Sequence, residues 1–296
     1  VIDNVSFHGQ FYEAGMGFYK YTYNCLYAVS ASWDGIGVSD LPREHINFKI
    51  TNSDFNTFCY GLVLGAMKDS KVIVGEKNNG NVFNVCEQGG GVWESRRMNI
   101  LVEGNTFNVP YLCWGFDITD YPYYSNILKA EPETETTICN VNSNVFNLEY
   151  ADYGLYFRNQ RHFLYPGEKP MAIQVKNNLF NMTDWYPLAI LSQVTKGMVI
   201  RNNKFSGTCW DALCLALYSS EGLVLGNNFS TAEYYRSSLY FDGTTQGWTA
   251  VGGKIKDNVI DLGVNNIITG FNVSTADVPL GPRISDKLKT MNQLMH

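Results

Sequence analysis

A motif of the form apolar–x–apolar–x–x–Asn–x–Phe recurs along this chain with a period of about 24 residues, within the range of stacked-repeat proteins. It reads Met198, Ile200, Asn203, Phe205; Ile173, Val175, Asn178, Phe180; Ile100, Val102, Asn105, Phe107; and Cys139, Val141, Asn144, Phe146. Weaker copies close at Phe7, Phe55, Phe83, Phe229 and Ile260. Asn81, Asn227 and Asn258 stand two residues before such a closer. A fixed period carrying a fixed Asn specifies a stack of like units, each unable to bury its apolar face alone.

The alternation before each Asn marks a short strand with one buried face. The Asn is expected to turn the chain, because its short amide bonds local backbone and tolerates left-handed angles. Stacked amides then form a ladder, and the Phe after each turn points inward onto the next Phe. A second strand follows, opened by Gly or another small residue: Gly61–Leu64, Gly115–Ile118, Gly154–Phe157, Pro187–Ile190, Ala212–Leu215 and Ser238–Phe241. Alternate residues of these strands face outward. The outward columns are expected to run Val63, Trp93, Asp117, Tyr156, Ala189, Cys214, Tyr240 and, two residues on, Gly65, Ser95, Thr119, Arg158, Leu191, Ala216, Asp242. Glu94 then falls inward.

The closers Phe180, Phe205 and Phe229 follow one another at the basic period. The interval widens from Phe107 to Phe146 and again from Phe146 to Phe180, so two coils carry insertions. The stretch from Phe7 to Phe55 is twice the period and fits two coils with Trp33 between them. The expected fold is all-β, a parallel β-helix of roughly ten coils, about 48 Å long at ~4.8 Å per strand. An Asn ladder lines it, and residues 1–274 form one domain. Residues 275–296 form a C-terminal tail in which Arg283–Met295 has the pattern of a short capping helix.

From Val1 to about Val273 the repeat resembles the right-handed parallel β-helix superfamily, the pectate-lyase-like fold. The resemblance implies the right hand, and it implies the range of that superfamily: polysaccharide lyases, glycoside hydrolases, esterases, phage tailspikes and adhesins. The polygalacturonase runs Gly-His-Gly and Arg-Ile-Lys are missing, and no Asp cluster of the pectate-lyase Ca²⁺ type stands out. Catalytic residues therefore do not carry over, and no cofactor or metal is expected.

Charged residues are 17% of the chain, which suits a long apolar interior. The net charge of −6 and the lack of a basic stripe argue against a nucleic-acid partner. No apolar run is long enough for a membrane-spanning helix. The sequence opens inside a coil, so further chain or a partner is expected to cover the first coil. Seven cysteines without metal-type spacing read as buried thiols, with Cys139 and Cys214 in strands and Cys59 and Cys113 just before them. Four Asn-x-Ser/Thr sequons, at Asn4, Asn181, Asn228 and Asn272, are expected by chance in an Asn-rich chain.

The two long coils gather the candidate chemistry, and long loops on a rigid stack are where sites are built. Asp117 and Arg158 lie on their outward strands. Their loops supply Tyr121, Tyr123, Tyr124, Arg161, His162, Tyr165 and Lys169. Trp93, Trp114 and Tyr156 complete a set of flat faces for sugar rings. Plain alternatives exist: Asp117 as a solvated residue paired with an Arg, and the aromatic residues as a docking patch. The expected function is an extracellular carbohydrate-active protein, a polysaccharide lyase in preference to a glycoside hydrolase because the loops are richer in cations, acting on a polysaccharide, acidic in the lyase case. Elimination needs a base and cations around a uronate, for which Arg158, Arg161, His162 and Lys169 serve. Hydrolysis needs paired carboxylates, for which Asp117 with Asp120 or Glu94 serve. The alternative is a non-catalytic glycan-binding or structural module of a tailspike or surface adhesin. Either reading places the protein outside the cell, on a cell surface or on a virion.

Overall fold

Alternation of period two, broken every few residues by a residue that accepts a left-handed backbone, yields many short strands that pair only with their counterparts one repeat away. A computed structural model describes residues 1–9, 11–13, 21–23, 27–31, 43–56, 60–84, 88–109, 114–120, 136–149, 151–160, 162, 167–183, 187–252 and 258–276. One ten-stranded sheet runs from Ile2–Asp3 through Asn47–Thr51, Lys71–Val74, Asn99–Glu103 and Ile138–Asn142 to Ile267–Thr269, parallel throughout. A second sheet of 16 strands holds the Phe-bearing strands and the Gly-led strands, again parallel. The architecture is a parallel β-solenoid. The described exception is a small antiparallel pair, Phe11–Glu13 with Tyr21–Tyr23.

The interior is filled by the closers. Phe7, Phe55, Phe83, Phe107, Phe146, Phe180, Phe205 and Phe229 stack face to face, with centroids 4.5–5.1 Å apart. All but the first are fully buried. Beside them, each Asn amide donates from Nδ2 to Oδ1 of the next: Asn81 to Asn105, then Asn144, Asn178, Asn203 and Asn227, at 2.9–3.0 Å. The same Oδ1 atoms accept the preceding backbone N–H, for example Asn105 N to Asn144 Oδ1 at 2.9 Å. A second, half-buried amide ladder runs outside the Phe stack through Asn56, Asn84, Asn108, Asn147 and Asn181 and ends on Ser206.

Several expectations are corrected. The ladder Asn residues do not take the left-handed conformation. The residue before five of them does: Gly104, Ser143, Asn177, Asn202 and Gly226 have φ of 55–72°. The Asn side chain is thereby free to face inward and bond the stack. Phe7 and Phe55 are direct neighbours in register and in the stack, so the double-length stretch between them belongs to one coil, not two. Asn258 and Ile260 belong to a Gly-led-type strand, where Ile260 pairs with Tyr240, and Asn258 is outside the ladder. Trp33 and the tail from residue 277 lie outside the described residues. Cys139 and Cys214 are buried free thiols, as is Cys209; Cys59 and Cys113 also lie outside the described residues.

Candidate functional site

The Gly-led strands owe their leader to a close approach. A Cβ on Gly61, Gly89 or Gly115 would meet the carbonyl oxygen of the next leader at 2.4, 2.6 or 2.1 Å, and Gly154 would meet that of Ala189 at 2.9 Å. Gly89 therefore aligns with Gly61 and Gly115, and the run Gly89-Gly90-Gly91 places Gly91, not Trp93, level with Asp117. Trp93 stands level with Thr119 and Gly65. The Pro187 coil slips in the same way, so Leu191 takes the place assigned to Ala189, and Gln193 lies level with Arg158. Both errors came from taking the wrong small residue as leader. Glu94 is not inward. It follows the strand in a half-buried turn with φ of 49°.

The corrected column runs Val63, Gly91, Asp117, Tyr156, Leu191, Cys214, Tyr240 and Ile260. It was expected to be exposed, yet Asp117 and Arg158 each retain only 7% exposure. Tyr153, Tyr156, Leu188, Leu191, Trp210, Cys214, Tyr240 and Ile260 form a second apolar cluster on this outer face. The face is thus a second packed layer, and polar groups set in it are desolvated.

Asp117 is the polar group most affected. The Tyr153 hydroxyl donates to its Oδ2 at 3.5 Å, while its buried Oδ1 has no hydrogen-bond partner. Burial pushes the carboxyl up to about 8, against the opposing pull of the neighbouring Tyr153 and Gln88 donors. Burial likewise holds the Tyr153 and Tyr156 phenols above their ordinary range, with Asp117 adding to it. Trp114 stacks on Tyr153 with centroids 5.8 Å apart and donates Nε1–H to Asp152 at 2.7 Å. Trp93 is half-buried, its Nε1 lying where a side chain on Gly91 would start.

Arg158 does not pair with Asp117. Its Nε donates to Gln160 at 3.1 Å, and the guanidinium lies beside the Tyr156 hydroxyl, which donates to Gln193 Oε1 at 2.8 Å. Past the strand, Asp120 accepts from Asn159 Nδ2 at 2.6 Å and from the Gln160 backbone. Half-buried His162 is kept below its ordinary range by desolvation, and its Nδ1 is unpartnered. Glu168 pairs with Arg96 at 3.5 Å, both side chains almost wholly buried. Lys169 is exposed. Arg161, Tyr121, Tyr123, Tyr124 and Tyr165 lie outside the described residues. The structure thus brings Asp117, Tyr153, Tyr156, Trp93 and Trp114 onto one face and sets His162 and Lys169 after it.

Sequence reasoning missed Tyr153, Gln88 and Gln193, which the register brings beside Asp117 and Arg158. It also missed a buried ion pair on the same face. Arg236 donates from Nε to both Asp211 oxygens at 3.0 Å and again from Nη2. Ser237 adds its N–H and hydroxyl at 3.1 and 2.7 Å, and neither side chain of the pair is exposed. Burial raises the Asp211 carboxyl against the pull of Arg236. Arg236 itself is raised because Asp211 outweighs desolvation. The one available signal was an Asp just before the small leader Ala212. Among the described residues no group of three or more His, Cys, Asp or Glu is placed to hold a metal ion. No protein-family model matches the chain, and neither a curated protein nor a solved structure matches it.

Proposed function

We propose that this chain is an extracellular, polysaccharide-active member of the right-handed parallel β-helix kind, and that Asp117 delivers a proton to a glycosidic oxygen. The observation that carries the reading is a buried carboxyl oxygen, Asp117 Oδ1, with no partner of its own on a face lined by Tyr153, Tyr156, Trp93 and Trp114. A carboxyl raised to about 8 is still protonated at neutral pH, as a general acid must be. Hydrolysis fits this better than elimination, because Arg158 is already engaged by Gln160 and Tyr156 rather than turned toward Asp117. The second carboxylate is assigned to Glu94. It lies one coil away and three residues along from Gly91, about 11 Å between Cα atoms at ~3.3 Å per residue and ~4.8 Å per strand. An inverting enzyme holds its two carboxyl groups about 6.5–9.5 Å apart to leave room for a water, a separation that side chains leaning together from those Cα positions would reach.

The test is reducing-end release from a panel of neutral and acidic polysaccharides, run beside ultraviolet detection of unsaturated products. Release that disappears in Asp117→Asn and in Glu94→Gln supports hydrolysis. Unsaturated product from the native protein overturns it in favour of elimination. A second reading, a non-catalytic glycan-binding or structural module, is favoured by the slight exposure of Asp117. Glycan retention without either product would establish it.

A further inference from the structure

Tyr153 is packed from both neighbouring coils and from its own strand. It stands level with Trp114 on one side and Leu188 on the other. The Trp114 ring lies parallel to it within 3°, and the Tyr156 ring leans on it with centroids 5.3 Å apart. A phenol enclosed in this way keeps one rotamer, so its hydroxyl has a fixed direction. That direction is Asp117, one coil back, where the hydroxyl donates to Oδ2 at 3.5 Å and makes no other hydrogen bond among the described residues. From the coil before Asp117, the Gln88 amide and the Trp93 indole reach the notch at Gly91, level with the carboxyl. Asp117 Oδ1 stays without a partner. The groups around the carboxyl are thus two phenols, an amide and an indole, none charged at neutral pH. Tyr60, two coils back, bears on Tyr153, and Arg158 bears on the Tyr156 phenol.

We infer that Tyr153 is a positioning residue for the Asp117 acid: its hydroxyl donates to Oδ2 and leaves the transferable proton on Oδ1. The inference rests on the acid role proposed above. A neutral carboxyl has one proton to place on either oxygen. With a glycosidic oxygen at Oδ1, a proton there bonds the substrate while the Tyr153 proton bonds Oδ2. A proton on Oδ2 instead would leave the Tyr153 hydroxyl without an acceptor and set Oδ1 against another acceptor, a cost in a buried layer. The proton then passes from Oδ1 to the glycosidic oxygen as that oxygen's bond to the anomeric carbon breaks. The attacking water gives its proton to Glu94, and Asp117 is left as a carboxylate. Tyr153 continues to donate to that carboxylate, which makes Asp117 a stronger acid than burial alone would leave it.

Tyr153→Phe keeps the ring and its stack on Trp114 and removes only the donor. The Asp117 carboxyl is followed by its carbon-13 resonance, identified by its loss in Asp117→Asn. Its titration midpoint is expected to move up by about one pH unit in Tyr153→Phe. It is expected to stay in place in Tyr156→Phe, whose hydroxyl is given to Gln193. In reducing-end release by Tyr153→Phe, the alkaline limb of the pH profile is expected to move up with it, and kcat to fall about tenfold with KM unchanged. A tyrosine that only fills space would move neither the midpoint nor the limb. An unchanged midpoint in Tyr153→Phe, or an equal rise in Tyr156→Phe, overturns the inference. A native protein that releases no reducing ends overturns the acid role, while a raised midpoint in Tyr153→Phe would still establish the bond to Oδ2.

Discussion

Gly91 lies level with Asp117 in the neighbouring coil, and the Trp93 indole occupies the space its side chain would claim: a Cβ there would meet Trp93 Nε1 at 2.3 Å. The notch beside the carboxyl is thus filled by a movable ring rather than by backbone. Gly91→Ala is expected to displace Trp93, seen as a change in tryptophan emission, at a modest cost in stability. Gly115→Ala is a different case, because its Cβ would meet the Gly154 carbonyl at 2.1 Å and backbone of the stack must move. It is expected to cost about 3 kcal/mol or more in chemical denaturation. Equal costs for the two would contradict the leader assignment.

The protonation of Asp117 makes stability depend on pH with a definite sign. The unfolded carboxyl ionises near 3.8 and the folded one near 8. Between those values the folded state holds a proton that the unfolded state has lost. Stability therefore falls as pH rises from about 4 to about 8, and levels off above, by an amount on the order of 5 kcal/mol. Asp117→Asn removes this group's dependence. Urea midpoints of the two proteins at acidic, neutral and alkaline pH are expected to diverge as pH rises, with the variant the more stable. Parallel curves would show that the carboxyl ionises normally.

The two amide ladders predict opposite sensitivities. Asn144 Oδ1 accepts from the backbone and side chain of Asn105, and its Nδ2 donates to Val102 O and Asn178 Oδ1, all buried. Asn144→Ala orphans several buried groups at once and is expected to cost about 3 kcal/mol or more. Asn108, in the outer ladder, makes similar side-chain bonds but is half-buried, and water can replace them. Asn108→Ala is expected to cost under about 1 kcal/mol. Thermal melts of the two variants compare them directly.

The solenoid was legible because its signal is periodic: Phe107, Phe146, Phe180 and Phe205 sit at one corner in the sequence and in space. Register on the Gly-led strands was less legible, because Gly89, Gly90 and Gly91 are equivalent as letters. Only the approach of Gly89 to the Gly115 carbonyl decides which of them leads. Exposure was not legible at all. Period two states that Asp117 and Tyr156 point away from the Phe stack, but not that a second apolar layer encloses them. Phe7 and Phe55 show the same limit, since the stretch between them is two periods long in sequence and one coil in space. The β-bulge at Tyr235 and Arg236 inserts one residue opposite Trp210, and a closer-to-closer count does not register it.

Asp211 and Arg236 carry the sharpest test of how this outer layer is held. Desolvating two charges costs several kcal/mol each, and the pair recovers it through two Nε contacts, an Nη2 contact and the Ser237 donors. Removing one partner leaves the other charged and enclosed. Arg236→Met is expected to cost about 3–5 kcal/mol, and Asp211→Leu a similar amount. Removing both replaces the pair by apolar volume against Tyr240, Leu188 and Cys214, so the double variant is expected to be more stable than either single one. Denaturation of the four proteins closes a double-mutant cycle, and a large coupling energy is the expected result. Additive losses would mean that the two side chains act on stability separately, through packing rather than through their charge. The bulge would then need another reason to turn Arg236 into the layer.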